Sequence, residues 1–110
     1  MKVITPGHRY ELAYFEVPSQ EGQTLQFIEK VHVKAGRGIK GSPARLVTKL
    51  NGTTNEEVLK MLIDRMQYLY DKFPSEETAT SISHLKSALY AQQSRTYERQ
   101  QRGVEGKPVK

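Results

Sequence analysis

Three arginines near the C-terminal end of the chain, Arg95, Arg99 and Arg102, recur at positions i, i+4 and i+7. In an α-helix this spacing places the three side chains within about 60° of one another around the axis. A guanidinium group is always charged, and its planar fork of N–H donors can bind phosphate oxygens bidentately or stack on a base. The spacing therefore predicts a site for a phosphorylated ligand. The alternative is a solvated basic helix end that is favoured by the helix dipole.

Tyr68 is a second candidate, because it lies outside the main apolar stripe of its helical segment. Leu62, Met66 and Leu69 define the packed side, and Tyr68 is about 100° from Leu69 around the axis. An exposed tyrosine can stack on a base, or it can lie at the rim of a core with its hydroxyl group in water. Both interpretations stay open on the sequence alone.

The sequence contains none of the motifs that would indicate a catalytic site. The chain has no cysteine, and it has no Gly-x-Ser-x-Gly motif. No two of the three histidines, His8, His32 and His84, have metal-ligand spacing. The glycines around Arg37 lack the length and the helix context of a phosphate-binding loop. We therefore expect a protein that is not an enzyme and that needs no metal or cofactor.

Composition and charge favour a small basic binding protein. The 110 residues fit one domain, and only 36% of them are hydrophobic, so sharing a core with a second copy would help stability. The net charge of +5 divides into +4 over residues 1–50, −2 over 51–90 and +3 over 91–110. The two positive segments favour anionic partners. No apolar run suits a signal peptide or a membrane span, so we expect a soluble, cytoplasmic protein.

The first fifty residues are expected to form a small antiparallel sheet. Apolar and polar residues alternate over 9–15, 24–33 and 44–50, which predicts a meander of three or more short strands. Turn-forming residues separate these runs at 18–23 and 35–43. The second turn segment is rich in Gly, Lys and Arg and is expected to be a mobile loop.

The rest of the chain predicts two helices. Thr54 and Glu57 fit a capping box at the start of the first, which ends before Pro74. Its wide apolar stripe could pack on two surfaces at once. The stripe comprises Val58, Leu59, Leu62, Ile63, Met66, Leu69 and Tyr70.

The second helix is expected to begin after Ser75, its N-cap, and to end at Gly103 in a left-handed conformation. Its narrower stripe comprises Ala79, Ile82, Leu85, Ala88 and Leu89. From Gln92 to Arg102 the pattern is polar all round apart from Tyr97. Because the connection is short, the helices should form an antiparallel hairpin. The predicted fold is α+β in a single domain: a β-region at 1–50, a hairpin at 51–106 and a tail at 107–110.

Several segments together resemble one family of phage proteins. They are HRYEL (8–12), QTLQFIEK (23–30), NGTTNEEVLKMLIDRMQYL (51–69), KFPSEE (72–77) and RTYERQQRGVEG (95–106). In this order they are similar to the phage Thoeris anti-defence and anti-CBASS family, whose members share a helical hairpin. The β-region before the hairpin makes the chain more similar to the Thoeris branch.

The resemblance implies a sponge that binds cyclic nucleotide signals of bacterial defence and does not cleave them. The implied ligand is a glycocyclic ADP-ribose, as in Thoeris, or a cyclic di- or trinucleotide, as in CBASS. The implied assembly is a homodimer, or a hexamer made of three dimers, with ligand pockets at the dimer interface. Such a protein would act in the cytoplasm of the infected bacterial host, with no membrane partner.

The resemblance also implies which residues bind the ligand. The family's aromatic residue corresponds to Tyr68, and its two arginines four residues apart correspond to Arg95 and Arg99. Thr78 occupies a position where relatives carry asparagine. Threonine offers one hydroxyl group, whereas the asparagine amide offers a separate donor and acceptor. This difference affects which base or ribose of a ligand the site prefers. Arg45 is assigned to the further arginine expected from the β-region. Together with the third arginine of the helix, the expected ligand-binding set is Tyr68, Thr78, Arg95, Arg99, Arg45 and Arg102.

A small basic nucleic-acid-binding protein is the alternative function. Such a protein would use the arginines on backbone phosphates, and its affinity would fall steeply with salt. It would show no preference for small cyclic ligands. The resemblance makes nucleic acid the less favoured partner.

Overall fold

The computed structural model describes residues 1–33 and 45–103. They fall into two compact units, which divide between Thr54 and Asn55. The expected mobile loop at 35–43 and the expected tail at 107–110 lie outside the described residues. The assignment of the whole chain to a single domain stays a prediction.

The first unit contains two small antiparallel sheets rather than the single meander expected. The strands are β1 (Lys2–Thr5), β2 (Arg9–Leu12), β3 (Gln23–Gln26), β4 (Glu29–Val33) and β5 (Arg45–Leu50). One sheet has the order β1-β2-β3, and the other pairs β4 with β5. Strand β1 was not anticipated, while the expected α+β class, with antiparallel strands before two helices, is confirmed.

A tight turn explains the pairing of β1 with β2. The backbone N–H of His8 donates to the carbonyl oxygen of Thr5 at 2.9 Å, and Gly7 between them has a φ of +79°. Pro6 precedes Gly7, and proline followed by a residue with positive φ is typical of a type II turn. The pair therefore reverses the chain without strain.

The run at 24–33 is divided because another segment pairs with its centre. The N–H of Ile28 donates to the carbonyl oxygen of Thr53, and the N–H of Thr53 donates to that of Gln26, each at 2.9 Å. This close approach requires the glycine at position 52. A Cβ atom on Gly52 would lie 2.4 Å from the Gln26 carbonyl oxygen. One apolar run therefore gives two strands, β3 and β4, in different sheets.

The second unit is the expected antiparallel hairpin of α1 (Asn55–Lys72) and α2 (Glu76–Gln101). Ser75 is the N-cap of α2, since its Oγ accepts the N–H of Thr78 at 3.1 Å. Gly103 follows the helix with a φ of +69°, as expected of a left-handed terminator. No helix within the described residues is long and apolar enough to cross a membrane.

The described residues bury little apolar surface in the single chain. Ile82, at 8% exposure, is the buried hydrophobic residue, and α1 contains no buried residue. Large apolar side chains lie in solvent in both units, including Met1, Phe15, Phe73, Tyr90 and Tyr97. A chain with so much exposed apolar surface has much to gain from association.

Candidate ligand-binding site

The packed side of α2 extends further than its apolar residues do. Half-buried and buried positions recur every three or four residues along the helix, which is the spacing of a continuous helix–helix contact. They are Thr78, Ser81, Ile82, Leu85, Leu89, Gln92, Thr96 and Arg99. The half-buried and buried positions in the last turns of α2 therefore carry polar side chains.

The open end of the hairpin, opposite the connection between the helices, is held by polar contacts. The hydroxyl of Thr96 in α2 donates to Glu56 Oε1 in α1 at 3.3 Å. Arg99 is one turn further along α2, and only 7% of its surface is exposed. The helix end that is polar all round in sequence is therefore not solvated all round, because Arg99 is buried within it.

Arg95 and Arg102 lie outside the packed side. Arg95 is exposed, so its guanidinium group is accessible to a ligand. Arg102 forms an ion pair with Glu98, and its Nη2 donates to Glu98 Oε2 at 3.2 Å. The three arginines share a helix face but not an environment: Arg95 is exposed, Arg99 is buried and Arg102 is neutralised by a neighbouring carboxylate.

Tyr68 lies on the exposed surface of α1, as its position in the pattern predicts. Its exposed fraction is 53%. The Nζ atom of Lys72 lies 4.9 Å from the centroid of the Tyr68 ring, a cation–π contact between residues four apart on one helix. The ring is therefore accessible, with a lysine against it.

Thr78 takes part in the cap of α2. The Ser75 hydroxyl donates to Thr78 Oγ1 at 2.9 Å, while the Thr78 N–H donates back to Ser75 Oγ. This reciprocal pair occupies the positions of a capping box. The threonine hydroxyl at this site accepts one hydrogen bond inside the protein and keeps its own proton for another partner.

Arg45 belongs to the other unit. It is the exposed first residue of β5 and pairs with Val33 of β4. Its guanidinium group is therefore presented at the end of the two-stranded sheet.

One hairpin does not bring Tyr68 and the arginines together. The contact between Thr96 and Glu56 places Arg95 at the level of Glu57 along the hairpin. Tyr68 is eleven residues further along α1, a separation of about 16 Å at 1.5 Å per residue. By the same measure Thr78 is about 25 Å from Arg95. These residues could line one small pocket only if a second chain contributed some of them.

The hairpin also carries a shallow groove of about 370 Å³ on one side. It is lined by Lys60, Ile63, Asp64, Gln67, Lys86 and Leu89. Sequence reasoning missed this groove, since it depends on how the helices pair. It also missed the Glu98–Arg102 pair and the Tyr68–Lys72 contact, although both have the i, i+4 spacing of neighbours on a helix. Within the described residues, no cluster of three or more His, Asp or Glu side chains could hold a metal ion.

The fold and these residues define a small α+β protein in which a helical hairpin carries an accessible tyrosine and an accessible arginine. The chain is similar to Thoeris anti-defense 1 of Bacillus phage SBSphiJ7, with 46% identity over 57 residues. The match confirms the resemblance to the phage Thoeris anti-defence family. It covers 51% of this chain and 40% of that relative, so the chain matches less than half of the relative's length. No protein-family model and no solved structure matches the chain.

Proposed function

We propose that this protein counters Thoeris defence by binding its glycocyclic ADP-ribose signal and withholding it from the defence system. The observation that carries the proposal is the 46% identity to a protein named for Thoeris anti-defence. The accessible tyrosine and arginine of the hairpin support it, because such a ligand offers an adenine ring and a diphosphate. Cyclic di- and trinucleotides also offer bases and phosphates, the phosphates as separate phosphodiesters, and are included as further candidate ligands. The protein would act in the cytoplasm of the infected bacterium.

The binding site is proposed to combine residues from two copies of the chain. The separation of about 16 Å between Tyr68 and Arg95 along one hairpin supports this, since one small ligand cannot reach both. A symmetric dimer places the tyrosine of one copy beside the arginine of the other if the hairpins cross head to tail. The sparse core supports association as well, since Ile82 is the buried hydrophobic residue in the described chain. A hexamer of three such dimers is the larger assembly proposed.

The proposed roles follow from the environment of each side chain. Tyr68 stacks on the base, because its ring is more than half exposed. Arg95 contacts the phosphates as an exposed fork of donors. Arg99 supports the same phosphates from its buried position, with its charge close to the packed side of α2. Thr78 donates its remaining hydroxyl proton to a base or a ribose.

Arg102 is assigned a weaker role than the other arginines. Its guanidinium group is already paired with Glu98, so a phosphate would have to compete with a carboxylate on the same helix. We therefore expect it to contribute little to binding.

The environments of the arginines also disfavour the nucleic-acid alternative. A backbone-binding helix needs several accessible cations along one stripe. Here Arg99 is buried and Arg102 is paired with Glu98, which leaves Arg95 as the accessible, uncompensated member of the three. Such a stripe suits one small ligand better than a polymer.

We propose binding without turnover. The chain contains no cysteine, and the residues in the proposed site are those that bind and orient a ligand rather than attack it. An intact ligand should therefore be recovered from the complex.

Calorimetric titration with glycocyclic ADP-ribose tests the proposed function. The expected result is saturable binding at a stoichiometry set by the dimer, with a large loss in the Arg95→Ala variant. A matched Lys2→Ala variant removes an exposed cation of β1, outside the hairpin, and should bind as the parent does. Binding of random single-stranded DNA with equal affinity and a steep salt dependence would instead support the alternative function.

A further inference from the structure

Lys72 is the charged residue in direct contact with the proposed stacking ring. It is the last residue of α1, it is exposed, and its Nζ lies 4.9 Å from the centroid of Tyr68. An ammonium group at this distance is attracted by the negative face of the ring. Because the two residues are four apart on one helix, the contact is local to α1 and exists within a single chain.

Other charges of α1 near the ring make this cation important. Asp64 precedes Tyr68 by one turn, and Asp71 follows it by almost one turn. Asp71 accepts a hydrogen bond from Gln67 Nε2 at 2.9 Å, which keeps its carboxylate on this part of the helix. Two carboxylates next to the ring would repel a phosphorylated ligand. Arg65, three residues before the tyrosine, and Lys72 are the cations of α1 that offset them.

Lys72 also determines which face of the Tyr68 ring is accessible for stacking. A tyrosine ring has two faces, and an ammonium group over one of them leaves the other for a base. The contact limits the motion of an otherwise exposed side chain, so less rotational freedom is lost when the base stacks. The cation then remains on the far side of the ring, where its charge attracts an anionic ligand toward the site.

We propose that Lys72 is a positioning residue for the stacking site: its ammonium group holds one face of Tyr68, presents the other face to the base, and favours anionic nucleotides over neutral nucleosides. This inference rests on the proposed function, since it concerns the same site. It adds a residue that the arginine and tyrosine pattern did not include.

The test compares three single variants by calorimetry with glycocyclic ADP-ribose. Lys72→Met keeps the length of the side chain and removes its charge, whereas Lys72→Arg keeps a cation that can still lie over the ring. Lys60→Met is the matched control, because Lys60 is an exposed lysine of the same helix, three turns away from Lys72. Both methionine variants have the same net charge. All variants should give the same circular dichroism spectrum and melting temperature, since both lysines are exposed.

We expect Lys72→Met to bind about three- to tenfold more weakly, and Lys60→Met and Lys72→Arg to stay within about twofold of the parent. In a Tyr68→Leu background the further loss from Lys72→Met should fall below about twofold, because the lysine acts through the ring. The salt dependence of binding should also weaken in Lys72→Met and not in Lys72→Arg.

Two results would overturn the inference in distinguishable ways. If the parent binds the signal and Lys72→Met binds as tightly as Lys60→Met does, Lys72 has no role and the proposed function stands. If Lys72→Met weakens binding as much in the Tyr68→Leu background as in the parent, Lys72 does not act through the tyrosine ring. If the parent binds neither glycocyclic ADP-ribose nor a cyclic di- or trinucleotide, the proposed function and this inference fail together.

Discussion

The burial of Arg99 predicts that two arginines four residues apart will differ sharply in their effect on stability. Arg99→Ala removes three packed methylene groups, worth about 0.8 kcal/mol each, and leaves polar partners unsatisfied at about 1–3 kcal/mol. The free energy of unfolding should therefore fall by about 3 kcal/mol or more. Arg95 is exposed, and alanine is a better helix former, so Arg95→Ala should change stability by less than about 0.5 kcal/mol.

Thermal melts followed by circular dichroism at one fixed protein concentration measure this difference. A loss of about 3 kcal/mol should lower the melting temperature by roughly 10 °C in a chain of this size, while Arg95→Ala should melt with the parent. Arg99→Met is the control, because it keeps an apolar side chain of similar length and should recover part of the loss. Equal melting temperatures for Arg95→Ala and Arg99→Ala would refute the claim that α2 packs through Arg99.

Three further predictions concern binding and assembly. Arg95→Ala should weaken binding of glycocyclic ADP-ribose tenfold or more, since a charge-assisted hydrogen bond contributes about 1.5–3 kcal/mol. Arg102→Ala should weaken binding less than about threefold. Calorimetry of both variants tests this order, and a larger loss of affinity in Arg102→Ala would contradict it. Tyr68→Ala should cost about 1–3 kcal/mol of binding free energy through lost stacking and Tyr68→Phe much less, so equal losses in the two variants would argue for a hydrogen bond from the hydroxyl instead. Light scattering should give the mass of a dimer or a hexamer at micromolar concentration, and a clean monomer would contradict a site shared between chains.

The helices were predictable because their signals are local. Ser75 before two glutamates, the Phe73–Pro74 pair and Gly103 each act on the backbone within a few residues, and the hairpin ends where they indicate. The same holds for Tyr68, whose exposure follows from its angle to the apolar stripe. Such features need no knowledge of distant parts of the chain.

The remaining features depend on contacts between distant segments. The run at 24–33 alternates like one strand, yet pairing with Thr53 divides it, and no local signal marks the break. Arg99 has the composition of a solvated helix end but lies on the packed side of α2, one turn after the contact of Thr96 with Glu56. Residue type alone could not predict this. Of the proposed ligand residues, Tyr68, Arg95, Arg102 and Arg45 are exposed, and their role in binding stays a prediction.

The most direct test of the central claim is recovery of the ligand after binding. Excess protein is mixed with glycocyclic ADP-ribose, the free ligand is measured after filtration, the protein is denatured, and the released nucleotide is analysed by mass spectrometry. The prediction is that free ligand disappears in proportion to protein, that it returns with unchanged mass, and that Arg95→Ala withholds much less of it. Free ligand that stays at its starting level, or a released product of altered mass whose amount grows with time, would contradict a sponge.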